Sequence, residues 1–175
     1  YVGDTIEQYL NIKAGVFEKI VAFEPFERSF RAMSTRTARL VQEWGLEENQ
    51  IELVQAGVGE KAYKTKLKIY KPADGQALSG ERAHGDIPVI TLDNYFAEQK
   101  ISFLKADIEG YEWNMLHGAE QVIRRDRPKL AICIYHTPFD MYRLALKIRL
   151  YCPDYKFAVR QHYYDIFETV LYAYV

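Results

Sequence analysis

The sequence predicts an α/β fold built on a mostly parallel sheet with an antiparallel C-terminal strand, and three observations carry that prediction. Segments of helical period alternate with short apolar runs along most of the chain, the pattern of strand–helix–strand units. Lys129 to Tyr135 is nearly all apolar, as a strand covered on both faces requires. The chain closes on two strand-like segments, 155–160 and 169–175, which read as an antiparallel pair joined by a loop.

The elements follow in order. Asp4 to Lys13 reads as a short helix with Ile6 and Leu10 on one face. Ile20 to Phe23 is an apolar strand that must end before Glu24-Pro25, because proline disfavours helix in the residue before it. Phe26, Phe30, Met33, Thr37, Leu40, Val41 and Trp44 recur at spacings of mostly three and four, with arginines between them. They predict an amphipathic helix ending at Gly45. Ile51 to Ala56 is the next strand, followed by a turn at Gly57-Val-Gly59. Residues 62–71 alternate Lys with Tyr, Leu and Ile, the period of an exposed or edge strand. Pro72 to Asp86 reads as a loop long enough to suggest a functional role.

Pro88 to Leu92 leads into Asp93, a candidate N-cap, and Ile101 to Ala106 is a strand that ends in an acidic cluster. A single helix is expected from Tyr111 to Arg125, burying Met115, Leu116, Ala119, Val122 and Ile123. Thr137-Pro138 should start another, with Thr137 as cap, Pro138 in the first helical position and Asp140 in the first turn. No repeat, low-complexity tract or linker interrupts the 175 residues, so one domain over 1–175 is expected.

Apolar residues make up 49% of the chain and charged residues 27%, ordinary for a globular domain. The net charge of −1 supplies no global basic field to gather nucleic acid or an anionic membrane. Neither is an expected partner. The two cysteines, Cys133 and Cys152, fit no metal or redox spacing and read as reduced thiols. No signal peptide or lipidation motif is visible, and no apolar run approaches the ~20 residues of a membrane span. The expected location is the cytoplasm. Oligomeric state leaves no mark.

In open α/β sheets, ligands bind beyond the carboxyl ends of the strands. The residues in that position are Glu24, Gly57, Asp107 with Glu109, and His136. An acidic side chain where Glu24 lies can accept hydrogen bonds from the vicinal hydroxyls of a ribose. Pro25 and Phe26 offer an apolar neighbour for an adenine ring. The alternative role for Glu24 is to favour the start of the following helix. Asp107, Glu109 and Glu112 fall within six residues, with Gly110 permitting close backbone approach. Gathered carboxylates suit a cation, a helix N-terminus or a substrate proton. Glu112 divides between chemistry and the helix. His136 could take a proton from a substrate hydroxyl, whereas His84 and His117 read as structural. His162, beside Arg160 and Tyr163, is a candidate for lining a substrate pocket.

Several phrases occur together: Gly3-Asp4-Thr5, Ala22-Phe23-Glu24-Pro25, Thr91-Leu92-Asp93, and Leu104-Lys-Ala-Asp-Ile-Glu-Gly-Tyr-Glu112 followed by Leu116-His-Gly-Ala119. In this order and spacing the sequence resembles the FkbM-type methyltransferase family. The resemblance implies a seven-stranded, Rossmann-like class I methyltransferase sheet whose final strand is reversed. It implies S-adenosyl-L-methionine (SAM) as cofactor, and methyl transfer to a hydroxyl of a sugar or small metabolite. Residue by residue, Gly3, Asp4 and Thr5 would end a glycine-rich loop under the methionine part. Glu24 would hold the ribose, Gly57 would lie near the adenine, and Asp107 would face the sulfonium. Family members begin this region with a strand and an Asp-x-Gly-Ala phrase before the position of Tyr1. Their absence suggests a fragment of a longer chain, since a parallel sheet without its first, central strand would expose unpaired edges.

The expected catalytic residues are Asp107, Glu109 and His136, with Asp107 foremost as base, and no metal is assigned. Alternatives are a non-catalytic SAM-binding or interaction domain, a nicotinamide-dependent oxidoreductase, and a metal-assisted variant using Asp107, Glu109 and His136 as ligands. No Gly-x-Gly-x-x-Gly supports the nicotinamide reading.

Overall fold

A computed structural model describes residues 2–65, 86–164 and 167–175. His84, the second half of the strand expected over 62–71, and all but the last residue of the expected loop at 72–86 lie outside the described residues. The chain divides into two compact units, one drawn from Tyr1–Gly57 and Tyr63–Val89, the other from Val58–Ala62 and Ile90–Val175.

In the first unit, helix α1 (Asp4–Lys13) has the predicted bounds and buries Ile6 and Leu10. Strand β1 (Ile20–Phe23) leads to helix α2 (Glu27–Trp44), which buries Met33, Thr37 and Leu40. Gly45 ends α2 at φ +61°, a left-handed position that glycine occupies without strain. Strand β2 (Ile51–Val54) runs parallel to β1, from Ile20 opposite Ile51 to Phe23 opposite Val54. It stops two residues short of the predicted end because the Ala56 N–H turns back on the Val54 carbonyl. Ile6, Leu10, Met33, Leu40 and Ile51 form the core of this unit. Where a turn was expected, Gly57–Val58 form a two-residue strand, β3. Strand β4 (Tyr63–Thr65) pairs antiparallel with β5 (Ile87–Ile90).

The second unit begins its helices with α3 (Leu92–Tyr95), capped by the Thr91 hydroxyl, which accepts from the Asn94 N–H. Asp93 is therefore not its cap. Strand β6 (Phe103–Ala106) follows, then two helices, α4 (Glu112–His117) and α5 (Glu120–Asp126), where one was expected. The break at Gly118 has a packing cause. A Cβ there would overlap the Gly59 carbonyl oxygen, and the Gly118 carbonyl accepts from the Asp93 N–H at 2.8 Å instead of serving a helix. Asp93 caps the restarted helix, its carboxylate accepting from the N–H groups of Gln121 and Val122.

Strand β7 (Lys129–Cys133) precedes helix α6 (Asp140–Tyr151). That helix starts later than predicted, and Thr137 is not its cap. The Asp140 carboxylate accepts from the Thr137 N–H at 3.0 Å, so the aspartate closes the turn. Strands β8 (Lys156–Gln161) and β9 (Thr169–Tyr174) are antiparallel, as expected. Strand β9 lies between β7 and β8 and is antiparallel to both, while β6 and β7 are parallel. The α/β prediction holds, and the described pairings are mixed. Cys133 and Cys152 are buried and unpaired. Among the described residues, no helix is long and apolar enough to cross a membrane.

Candidate functional site

The parallel register of β6 and β7, with Ala106 opposite Ile132, opens their carboxyl ends on one edge. Beyond β6 the chain passes Asp107 and Ile108 and turns through Glu109 at φ +57° and Gly110 at φ +91°. A left-handed glutamate costs roughly 1–2 kcal/mol, so this turn is held by its surroundings. It returns the Glu112 carboxylate to the Ile108 N–H at 2.9 Å. A Cβ on Gly110 would sit 3.7 Å from the His136 Cβ, so the turn lies against the residues that follow β7. Those residues are braced by Asp140, which is fully buried and also accepts from the Arg143 Nε at 2.8 Å.

Five side chains converge there. Glu112 Oε1 lies 3.0 Å from His136 Nδ1, and His136 Nε2 lies 3.4 Å from Asp107 Oδ1 and 3.6 Å from Glu109 Oε2. The Tyr135 hydroxyl donates to the same Asp107 Oδ1 at 3.0 Å. Side-chain exposure rises along the series: 0% for Glu112, 9% for His136, 27% for Asp107 and 82% for Glu109. Asp107 and Glu109 therefore meet solvent, and the other two stand behind them. Both ring nitrogens of His136 lie close to carboxylate oxygens without meeting hydrogen-bond geometry. Burial alone would lower the pKa of its ring. Glu112, by contact and charge, and then Glu109 and Asp107 outweigh that effect and raise it. Burial, reinforced by the Asp107 charge and hydrogen bond, pushes the Tyr135 phenol well above its ordinary range.

Asp107, Glu112 and His136 each offer a ligand atom within 4.8 Å of the others. The two carboxylates, however, approach opposite ring nitrogens.

A family model described as the methyltransferase FkbM domain matches residues 1–159. The chain belongs to the FkbM methyltransferase family. It is similar to the crystal structure of methyltransferase FkbM from Methylobacillus flagellatus, with 27% sequence identity and a TM-score of 0.80. That match covers 99% of this chain and 41% of the other, so the chain spans about two fifths of that protein's length. An rRNA methylase from Streptococcus thermophilus matches at 19% identity and a TM-score of 0.47, over 93% of this chain and 77% of that one. That likeness is too slight to bear on function. No curated protein matches the sequence.

The residues that the FkbM resemblance assigns to the cofactor lie in the first unit, apart from Asp107. Gly3 precedes α1 at φ +84°, with Met33 so close that a Cβ would sit 3.3 Å from its Cγ. Asp4 and Thr5 open α1, and Asp4 Oδ1 is buried with no hydrogen-bond partner among the described residues. Glu24, 5% exposed, ends β1, and one of its oxygens accepts from the Phe26 N–H at 2.8 Å. That contact lies just before α2, whose cap residue Phe26 makes no side-chain cap hydrogen bond. Gly57 lies beside Val89 and Pro25. A buried, unpartnered carboxylate oxygen and an acidic strand end fit a ligand with an amino acid part and a ribose.

Two contributors carry no site assignment in the sequence of this FkbM chain: Tyr135 reads as strand and Asp140 as an ordinary first-turn acid. For Tyr135 a signal existed: a phenol ending an all-apolar run needs a partner for its hydroxyl. The other two histidines among the described residues make contacts elsewhere. His117 Nδ1 is 3.9 Å from Glu60, and His162 Nε2 is 2.8 Å from the Tyr172 hydroxyl. A concavity of about 390 Å³ in the second unit is lined by residues including Glu60, Asp93 and His117. It includes none of the residues assigned to catalysis or cofactor.

Proposed function

We propose that this chain forms the SAM-binding, catalytic part of an FkbM methyltransferase that methylates a hydroxyl oxygen of a sugar or small metabolite. The observation that carries the reading is Asp107, set at the carboxyl end of β6 and open to solvent. Its Oδ1 is engaged by both Tyr135 and His136. The Rossmann-like class I sheet order and a cytoplasmic setting belong to the same reading.

Gly3, Asp4 and Thr5 would hold the methionine part of SAM, Glu24 the ribose, and Pro25, Phe26 and Gly57 the adenine, with Asp107 toward the sulfonium. When bound, SAM supplies an activated methyl group. The protein supplies alignment, which can contribute ~7–11 kcal/mol, and a base that adds perhaps 10²–10⁴-fold. With the sulfur–methyl bond of SAM breaking to leave S-adenosylhomocysteine, Asp107 would accept the proton that the acceptor hydroxyl gives up as its oxygen gains the methyl group. Glu109 is the second carboxylate on the exposed side, and His136 holds Asp107 from behind. The grouped carboxylates also favour a cationic ligand over a neutral one.

Calorimetry on the full-length protein with SAM and with NAD tests the cofactor, and a panel of hydroxyl acceptors tests the transfer. Asp107→Asn should lower turnover at least a hundredfold while the protein stays folded. Near-wild-type turnover in that variant would remove Asp107 from the mechanism. Saturable SAM binding without any methylated product would favour a binding domain, and NAD binding in place of SAM would overturn the cofactor assignment.

A further inference from the structure

We infer that Glu112 is a positioning residue: it holds His136 as a buried cation, and that cation fixes the Asp107 carboxylate. This rests on the methyl transfer reading for its link to turnover, but the ion pair itself can be tested without it.

The geometry is directional. Glu112 is fully buried and so can touch neither solvent nor a ligand arriving from it. Its Oε1 is anchored by the Ile108 N–H at 2.9 Å and faces His136 Nδ1 at 3.0 Å. The opposite nitrogen faces Asp107 Oδ1 at 3.4 Å and Glu109 Oε2 at 3.6 Å. A neutral ring has one nitrogen lone pair, and either tautomer would aim that pair at a carboxylate. Only the doubly protonated ring presents a positive N–H toward the carboxylates on both sides. A buried carboxylate also requires a paired charge, and His136 is the cation in contact with Glu112. Glu112 therefore stabilises the charged form of His136. Asp107 Oδ1 is then held from two directions, by the imidazolium and by the Tyr135 hydroxyl. Glu112 sets the charge of the group on which Asp107 rests without reaching the reacting atoms.

The test is Glu112→Gln in the full-length protein, since the amide oxygen can still accept from Ile108. The imidazole of His136 is followed by nitrogen NMR, its signal assigned by its loss in His136→Gln. The wild-type ring should be doubly protonated at neutral pH, and its midpoint in Glu112→Gln should fall by a pH unit or more. Turnover should fall on the alkaline side as His136 deprotonates, and in Glu112→Gln that limb should move to lower pH by the same interval. SAM affinity should stay within about twofold, and Glu112→Asp should restore part of the shift. An unchanged midpoint in Glu112→Gln, or a neutral wild-type ring at pH 6, overturns the inference. If Glu112→Gln does not fold, the wild-type ring alone decides it. Absence of methyl transfer in the wild type would overturn the functional reading while the NMR result still judged the ion pair.

Discussion

His136 meets three carboxylates from a different segment, residues 107–112, and its protonation is therefore linked to folding. The pKa of the ring is raised in the folded state, because Glu112, Glu109 and Asp107 outweigh the opposing effect of burial. A group raised above its unfolded value, about 6.5 for histidine, stabilises fully below that pH. The contribution is lost as pH rises through the folded-state value. Unfolding free energies of wild type and His136→Gln, measured from pH 5.5 to 9, should therefore differ most at the acid end. The pH-dependent part of the gap should close upward. A gap that widens with pH would mean that the ring is held neutral. At this scale the sequence was informative about residue type. Asp107, Glu109 and His136 do come together, because residues that follow adjacent parallel strands share an edge. Which nitrogen meets which carboxylate depends on the Glu109–Gly110 turn, and no spacing rule conveys that.

Element boundaries divide the same way between local and distant causes. Helix α1 and strand β1 have their predicted bounds because their signals are local: an apolar period, a glycine and a proline. The expected helix at 111–125 breaks because Gly118 meets Gly59, far away in sequence, and because Asp93 reaches across to cap α5. The Thr91-Leu92-Asp93 and Gly118-Ala119 phrases thus have a mechanical explanation independent of any ligand. Gly118→Ala should force the Gly59 backbone aside and destabilise the protein by about 3 kcal/mol, the upper part of the range for overpacking. Thermal unfolding would register this as a lowered Tm. An unchanged Tm would show that the close approach yields easily and that the helix break has another origin.

For the whole molecule, the residues assigned to holding SAM and those assigned to proton transfer fall largely in different units, Glu24 in the first and Asp107 in the second. The methyl transfer reading therefore predicts that affinity and turnover respond to different substitutions. Glu24→Gln keeps an oxygen for the Phe26 N–H and removes the charge that would accept from the ribose. Hydrogen bonds to a charged group contribute roughly 1.5–3 kcal/mol each, so SAM should bind about ten- to a hundredfold more weakly. The thermal stability of the ligand-free protein should change little. Asp107→Asn should act mainly on turnover, which collapses, with a smaller loss of SAM affinity from the charge removed near the sulfonium. The net charge of −1 provides no long-range field to blur this separation, so each effect should persist from low to physiological salt. Calorimetry and single-turnover rates on both variants make the comparison. Wild-type SAM affinity in Glu24→Gln would mean that the ribose has another acceptor and that Glu24 acts through structural contacts such as that to the Phe26 N–H.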